Sequence, residues 1–380
     1  MKLKTLIAFA FVPMLFTACG PKRKAAGLMD DPRTHAEAGK KYYDAGDNER
    51  ARKEYTLALE LNKKYAPALA GLGMLEAREG KWDAADDAID DAIDRDDKIP
   101  DGFMARGVFI AEKNKGKDPE DWIDDAEKAF AKALKRDEKH SESWYRLGMV
   151  RTWAFKFREA GDAYRKVLDI DKGYTTPAND AWARIQKIER AAPGTRVGKK
   201  IALVDSLTRA DAAALFIAEL EIDRLLSRTR GANVDTSFKS PTNPLEKKDA
   251  PVAKPAASDI SGHWAQNFIE DALKYGIRGL QVNPDGTFQP ALGLTRAEFA
   301  LLAEDALMVA LGDKTLATKY IGGPSRFSDV GTGSPYFNAI CDAVDHNVMS
   351  PNPDGTFGAL KPVSGADALL TIRLIKELRK

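Results

Sequence analysis

The residues able to do chemistry in this 380-residue chain are few, and their spacing argues for binding and not for bond making. Its four histidines, His35, His140, His263 and His346, stand apart without metal-ligand spacing. Cys19 and Cys341 form neither a zinc-type pair nor a disulfide framework. Cys341, within Ala339-Ile340-Cys341-Asp342-Ala343-Val344, reads as a small buried hydrophobe. Aspartates are plentiful, but a glycosidase needs two carboxyl groups held across a cleft, which their spacing does not indicate. No catalytic group, cofactor or metal site is expected. The sharper candidates are Arg209 and Arg296, which recur in Leu207-Thr208-Arg209-Ala210-Asp211 and Leu294-Thr295-Arg296-Ala297-Glu298, and Trp264 beside His263. A guanidinium offers a rigid fork of donors to a carboxylate, and an indole face is a platform for a sugar ring.

These residues sit in a chain long enough for two or three domains. With 30% charged and 44% hydrophobic residues the composition is that of a folded protein, and a net charge of +1 gives no field for nucleic acid. At the N-terminus Lys2 and Lys4 precede the apolar run Leu6 to Phe16 and then Thr17-Ala18-Cys19-Gly20. A basic start, an apolar stretch too short for an ordinary membrane helix and a small-residue site describe an export signal over residues 1–18. Cys19 directly after it resembles a bacterial lipobox, which implies acylation of the Cys19 thiol and removal of the signal. More than one acyl chain anchors stably, at about 0.8 kcal/mol per buried CH2. Gly20 and Pro21 differ from the aspartate that resembles an inner-membrane retention signal, so the outer membrane, periplasmic face, is the favoured destination, with the cell surface as the alternative.

After a tether over 19–31, an internal repeat fills residues 32–191. Gly39, Gly73, Gly107 and Gly148 align at spacings of 34, 34 and 41, and Ala51, Ala85, Ala126 and Ala160 at 34, 41 and 34. Seven extra residues therefore lie in the polar segment Lys113 to Glu120, an insertion in one interhelix turn. Each unit reads as two amphipathic helices with small residues at the crossing and an aromatic or branched residue beside them: Tyr55, Ile89, Phe130, Tyr164. The pattern resembles the tetratricopeptide repeat family, which implies an α-solenoid whose concave groove takes a protein or peptide partner. A further helix from Pro177 to Ile188 reads as its cap.

From residue 256 the pattern changes. Asp259-Ile260-Ser261-Gly262-His263-Trp264-Ala265, Asn283-Pro284-Asp285-Gly286-Thr287-Phe288 and the Arg296 motif make one copy over 256–310. A second, over 322–380, has Phe327-Ser328-Asp329-Val330, Asn352-Pro353-Asp354-Gly355-Thr356-Phe357 and Val363-Ser364-Gly365-Ala366-Asp367, with Asp354 and Gly365 each 69 residues on from Asp285 and Arg296. Pro-Asp-Gly predicts a turn, and Thr295 or Ser364 an N-cap with an acidic residue three positions on. The segments resemble the S-layer homology family, modules that fix bacterial proteins to cell-wall polymers and commonly pack as three lobes. The Arg209 motif, in a partial lobe over 192–227, is the expected source of the third, joined through a Pro-containing linker over 228–255. The resemblance implies that Arg209, Arg296 and Trp264 shape grooves for an acidic wall sugar. The structural alternative is that each arginine pairs with a nearby aspartate to lock the lobes. Gly365 stands where the arginine is lost, so alanine there is expected to do little to wall binding.

The expectation is a mainly α protein, a tetratricopeptide-type α-solenoid followed by a helical three-lobe module. It would be a non-enzymatic envelope tether or scaffold, binding a membrane through Cys19, peptidoglycan or an attached glycan through the module, and a protein through the repeats. The alternative is an assembly or secretion accessory whose C-terminal module binds protein and not glycan. Replacing Cys19 with Ser is expected to move the protein from the membrane to the soluble or unprocessed fraction. Acyl-chain labelling that persists in this variant would refute the lipobox.

Overall fold

In the computed structural model the described residues are 25, 27, 30–222 and 257–378. The signal segment, Cys19, most of the 19–31 tether and the 228–255 linker lie outside them. The protein is mainly α: among the described residues there is no β-strand, and the two isolated bridges, Thr208 with Gly293 and Thr295 with Pro362, are both antiparallel. No described helix is long and apolar enough to cross a membrane. Two compact units divide at Ala154 and Phe155.

The first unit is a solenoid of helical hairpins: α1 (Pro32–Asp44) and α2 (Asn48–Leu61), α3 (Ala66–Arg78) and α4 (Trp82–Arg95), α5 (Asp101–Lys113) and α6 (Ile123–Arg136), then α7 (Ser141–Trp153). Asp31 starts it by accepting hydrogen bonds from the backbone N–H groups of Arg33 and Thr34, with Pro32 in the first turn, where it needs no donor. The small positions are small for a measurable reason. Gly39 and Gly71 hold the Tyr55 ring so closely that a Cβ on either would overlap it, and Gly107 does the same for Phe130. Ala51 and Ala58 are fully buried on either side of Tyr55. Burying such a ring removes roughly 150 to 250 Å² from water, on the order of 4 to 6 kcal/mol as an upper bound. The insertion expected near residues 113–120 becomes a 3-10 turn, Pro119–Asp121, between α5 and α6.

The second unit contains α8 (Phe157–Ile170), α9 (Thr175–Ala191), α10 (Arg196–Ile201), α11 (Arg209–Ala218), α12 (Gln266–Tyr275), α13 (Arg296–Leu311), α14 (Phe337–Asp345) and α15 (Gly365–Leu378). Its helices contact one another cyclically: α11 packs on α12, α13 on α14, and α15 on α9. Counted by the repeated segments, the module has three lobes, A (α9 to α11), B (α12 and α13) and C (α14 and α15), and each of these packed pairs joins one lobe to the next. Helix α9, expected as a cap, lies against α8 and also against α15. Phe216 and Phe299, both fully buried, meet edge to face between lobes A and B.

Between lobes B and C a polar cluster is buried. Glu304 of α13 accepts hydrogen bonds from the Asn338 amide of α14 and pairs with Arg278. Asn338 also donates to the Leu316 carbonyl at 2.7 Å and, weakly, to Asp342 at 3.4 Å. Asp342 is fully buried, and its Oδ1 has no hydrogen-bond partner. Burial pushes its carboxyl up to about 6; His346 and Lys319 oppose the shift, and Asp345 and Asp313 add to it. A carboxyl whose folded pKa is raised holds its proton better when folded, so the ionised form destabilises the protein above about pH 6 and not below the ordinary carboxylate range. Asp342→Asn is therefore expected to raise the melting temperature by several degrees at pH 7.5, with the gain shrinking as pH falls from about 6 and vanishing only below the ordinary carboxylate range, near pH 3. Thermal scans across that range check it, and a gain independent of pH would contradict it.

Candidate functional site

The three lobes meet through one repeated backbone segment. The Leu294 N–H donates to the Leu207 carbonyl at 2.8 Å, Val363 to Leu294 at 3.1 Å, and Leu207 to Val363 at 2.8 Å, closing a ring of three hydrogen bonds. The residues two positions on repeat the pattern: Arg209 N–H donates to Leu292, Arg296 to Lys361, and Gly365 to Val204. Each segment then turns into a helix through the same cap. Thr208 with Asp211 and Thr295 with Glu298 form capping boxes, and Ser364 accepts from the Asp367 N–H at 3.1 Å while donating to its carboxylate at 2.6 Å.

These caps aim the two arginines into the next lobe. Arg209 donates from Nε to the Phe288 carbonyl at 2.8 Å, from Nη1 to Gly279 at 2.8 Å and from Nη2 to Gln281 at 2.9 Å. Its guanidinium lies over the Phe288 ring, 4.6 Å from the centroid. Arg296 repeats this on lobe C, with Nε on Phe357 at 3.0 Å, Nη2 on Ser350 at 2.7 Å and the Phe357 ring 4.7 Å beneath. Both arginines lock lobes, but onto carbonyls, not the aspartate partners of the structural alternative. Burial lowers both pKa values; Glu298 and Asp259 oppose this at Arg209, and Asp367 and Asp329 at Arg296. Arg209 is nearly buried, with every side-chain nitrogen engaged. Arg296 is half-buried, and its Nη1 makes no hydrogen bond to a described residue.

The loops that receive the arginines are built by the Pro-Asp-Gly turns. Asp285 accepts from the Thr287 N–H and hydroxyl at 2.9 and 2.7 Å, and Asp354 from those of Thr356 at 2.9 and 2.6 Å. Gly286 and Gly355 supply φ near +80°. Two further aspartates, to which sequence reasoning gave no role, hold the far side. Asp259 accepts from the Phe288 and Gln289 N–H groups, each at 2.7 Å, and Asp329 from Phe357, Gly358 and Ala359 at 2.7 to 3.0 Å. Burial raises their pKa values, and these donors more than offset it, leaving both below the ordinary range. Their signal was present: each lies 28 or 29 residues before the phenylalanine it clamps.

Trp264 opens lobe B at the start of α12 and is 56% exposed. Its ring contacts are with His263 and Phe268, and His263 Nδ1 accepts from the Ala265 N–H at 3.2 Å, a positioning role. Arg209 reaches the lobe that carries Trp264, whereas Arg296 reaches lobe C; Cys19 lies outside the described residues.

Residues 258–300 and 326–369 match the S-layer homology domain. They cover lobes B and C up to the start of α15, and leave the Arg209 segment unmatched. Over 193 residues the chain is 27% identical to cell surface glycoprotein 1 of Acetivibrio thermocellus, a match covering 50% of this chain and 8% of that protein. The chain thus spans a small fraction of that relative's length. A solved structure titled as the functional characterization of Pseudomonas aeruginosa pilF aligns with 53% of this chain and 89% of its own at 20% identity. Its TM-score is 0.32, a likeness too loose to bear on function.

The junction from lobe C back to lobe A departs from the S-layer homology pattern. Lobe A has α10 where the others carry the Pro-Asp-Gly loop, and Gly365 replaces the arginine. Lys187 of α9 pairs with Asp367 at 2.6 Å, and Lys376 donates to the Glu219 carbonyl at 2.9 Å. A Cβ on Gly365 would overlap the Ile201 carbonyl oxygen and sit 3.0 Å from Val204 Cγ2, so alanine there bears on stability. The α10 backbone fills the space that the missing side chain left. Gly365→Ala is expected to destabilise by roughly 1 to 3 kcal/mol, while Gly331→Ala, with nothing within 4 Å, leaves stability unchanged. Urea titration of both variants checks this, and equal midpoints would contradict the tight closure.

Proposed function

We propose that this protein is a cell-envelope tether or scaffold without catalytic activity. A lipid on Cys19 holds it to a membrane, with the periplasmic face of the outer membrane favoured. The repeat solenoid takes a protein partner, and the C-terminal module takes peptidoglycan or a glycan attached to it. The single observation that carries this reading is the S-layer homology match within both copies, and the ring of backbone hydrogen bonds through Leu207 supports reading the Arg209 segment as a third lobe.

Within that reading, Trp264 and Arg296 are the glycan contacts, one through its exposed indole face and the other through Nη1. Arg209 supports the site by fixing the loop 279–288 that lies in the same lobe as Trp264. Its complete engagement favours the second reading, an assembly protein whose module binds protein and has lost glycan affinity.

Sedimentation of the chain lacking residues 1–19 with purified wall sacculi separates the two. The wild-type chain is expected to co-sediment. Trp264→Ala and Arg296→Ala are each expected to weaken retention roughly tenfold, the loss of about one good hydrogen bond. Arg209→Ala is expected to lower the melting temperature as well as retention. Sacculi stripped of attached polymers distinguish peptidoglycan from an appended glycan. Failure of the wild-type chain to sediment with either would overturn the glycan assignment and leave the accessory reading.

A further inference from the structure

The first unit contains a pocket of about 200 Å³, comparable with one long side chain, whose walls come from α1, α2, α3, α5 and α7. Tyr55, Tyr65, Met74 and Met104 make its apolar surfaces. Tyr55 is fixed by the two glycines that flank its ring, and Met74 and Met104 are buried, so these surfaces are preformed.

The charges at the pocket are nearly all spoken for. Glu142 of α7, buried, pairs with Lys40 of α1 at 2.7 Å and with Arg146 at 3.1 Å. Burial would raise its pKa, but Arg146 and Lys40 outweigh this and hold it at about 2. Arg33 pairs with Glu37 at 2.8 Å. Asp101, at the start of α5, is the exception. Its carboxylate forms no hydrogen bond or ion pair with another described residue; it has its own backbone N–H, with His140 and Lys40 acting on it from farther away and Glu142 repelling it. Burial, the largest effect, holds its pKa above the ordinary carboxylate range. A carboxylate with no directly bonded cation, set beside buried apolar walls, is a site at which a further cation is stabilised.

Resting on the reading that the solenoid binds a protein, we propose that this pocket receives a basic side chain of the partner. Its aliphatic stem lies against Met74, Met104 and the two tyrosines, and its guanidinium or ammonium pairs with Asp101. Long basic side chains suit the arrangement because they combine an apolar stem with a charged head. The partner segment is thus identified by an exposed arginine or lysine, and the Asp101 carboxylate disfavours an acidic side chain at this position.

The test uses the full chain with 13C-labelled methionine methyls and three probes: acetyl-arginine amide, acetyl-lysine amide and the uncharged acetyl-citrulline amide. Arginine or lysine amide is expected to shift the Met74 and Met104 signals to saturation, with citrulline amide at least tenfold weaker. Asp101→Asn is expected to abolish the difference between charged and uncharged probes. Tyr65→Leu, which leaves the carboxylate in place, is expected to weaken binding several-fold while preserving the preference for charge. Equal response to charged and uncharged probes, or an unchanged preference in Asp101→Asn, would overturn the proposal and assign Asp101 to the start of α5 alone. Sacculus retention of Asp101→Asn is expected to equal that of the wild-type chain, so failure of the pocket and failure of the wall assignment are read separately.

Discussion

Three hydrogen bonds, each from one lobe's backbone to the next and the last back to the first, set the arrangement of the C-terminal module. Leu207, Val363 and Leu294 fulfil the same donor and acceptor roles from three places in the chain. Buried peptide groups need partners, and in this ring each lobe supplies the partner the next lacks, so a lobe taken alone would leave polar atoms unsatisfied. The arginines extend the same logic by one layer. Each guanidinium closes over a phenylalanine whose carbonyl it binds and whose N–H an aspartate from elsewhere in the receiving lobe holds.

The solenoid obeys a different constraint, set by volume. Its helices approach where glycine and alanine permit, and an aromatic or branched side chain occupies the space created. Because Tyr55 lies between Gly39 and Gly71, the first hairpin and the next share one packed ring, and neither face is complete without the other. That tight packing also shapes the small pocket: the backbone cannot close over it while the tyrosine is in place.

Much of this was legible because it follows from residue size and local turn chemistry. A 34-residue recurrence of Gly and Ala has few explanations besides crossing helices, and Asp285 and Asp354 bond within two residues of themselves, so their turns needed no tertiary knowledge. The arginine motif pointed to equivalent positions in three lobes, including the one upstream. What it did not disclose was the acceptor, since carbonyl groups belong to every residue and leave no mark in a sequence. The tight place around Gly365 was hidden for a related reason. A missing side chain suggests freedom, whereas here backbone from α10 occupies the place. Helix α9 was hard to read because one amphipathic pattern, with Ile185 and Ile188 buried, serves contacts with both α8 and α15.

The order in which the ring is written has a consequence for how the protein is made. Lobe A needs both α15, the last described helix, and the Val363 carbonyl just before it, so closure joins residues more than 150 positions apart. Such distant pairing is slow, because the chain entropy is lost before the contacts form. During synthesis the segment with Leu207, Leu215 and Phe216 emerges long before its final neighbours. Its apolar surface is then open to association with other chains.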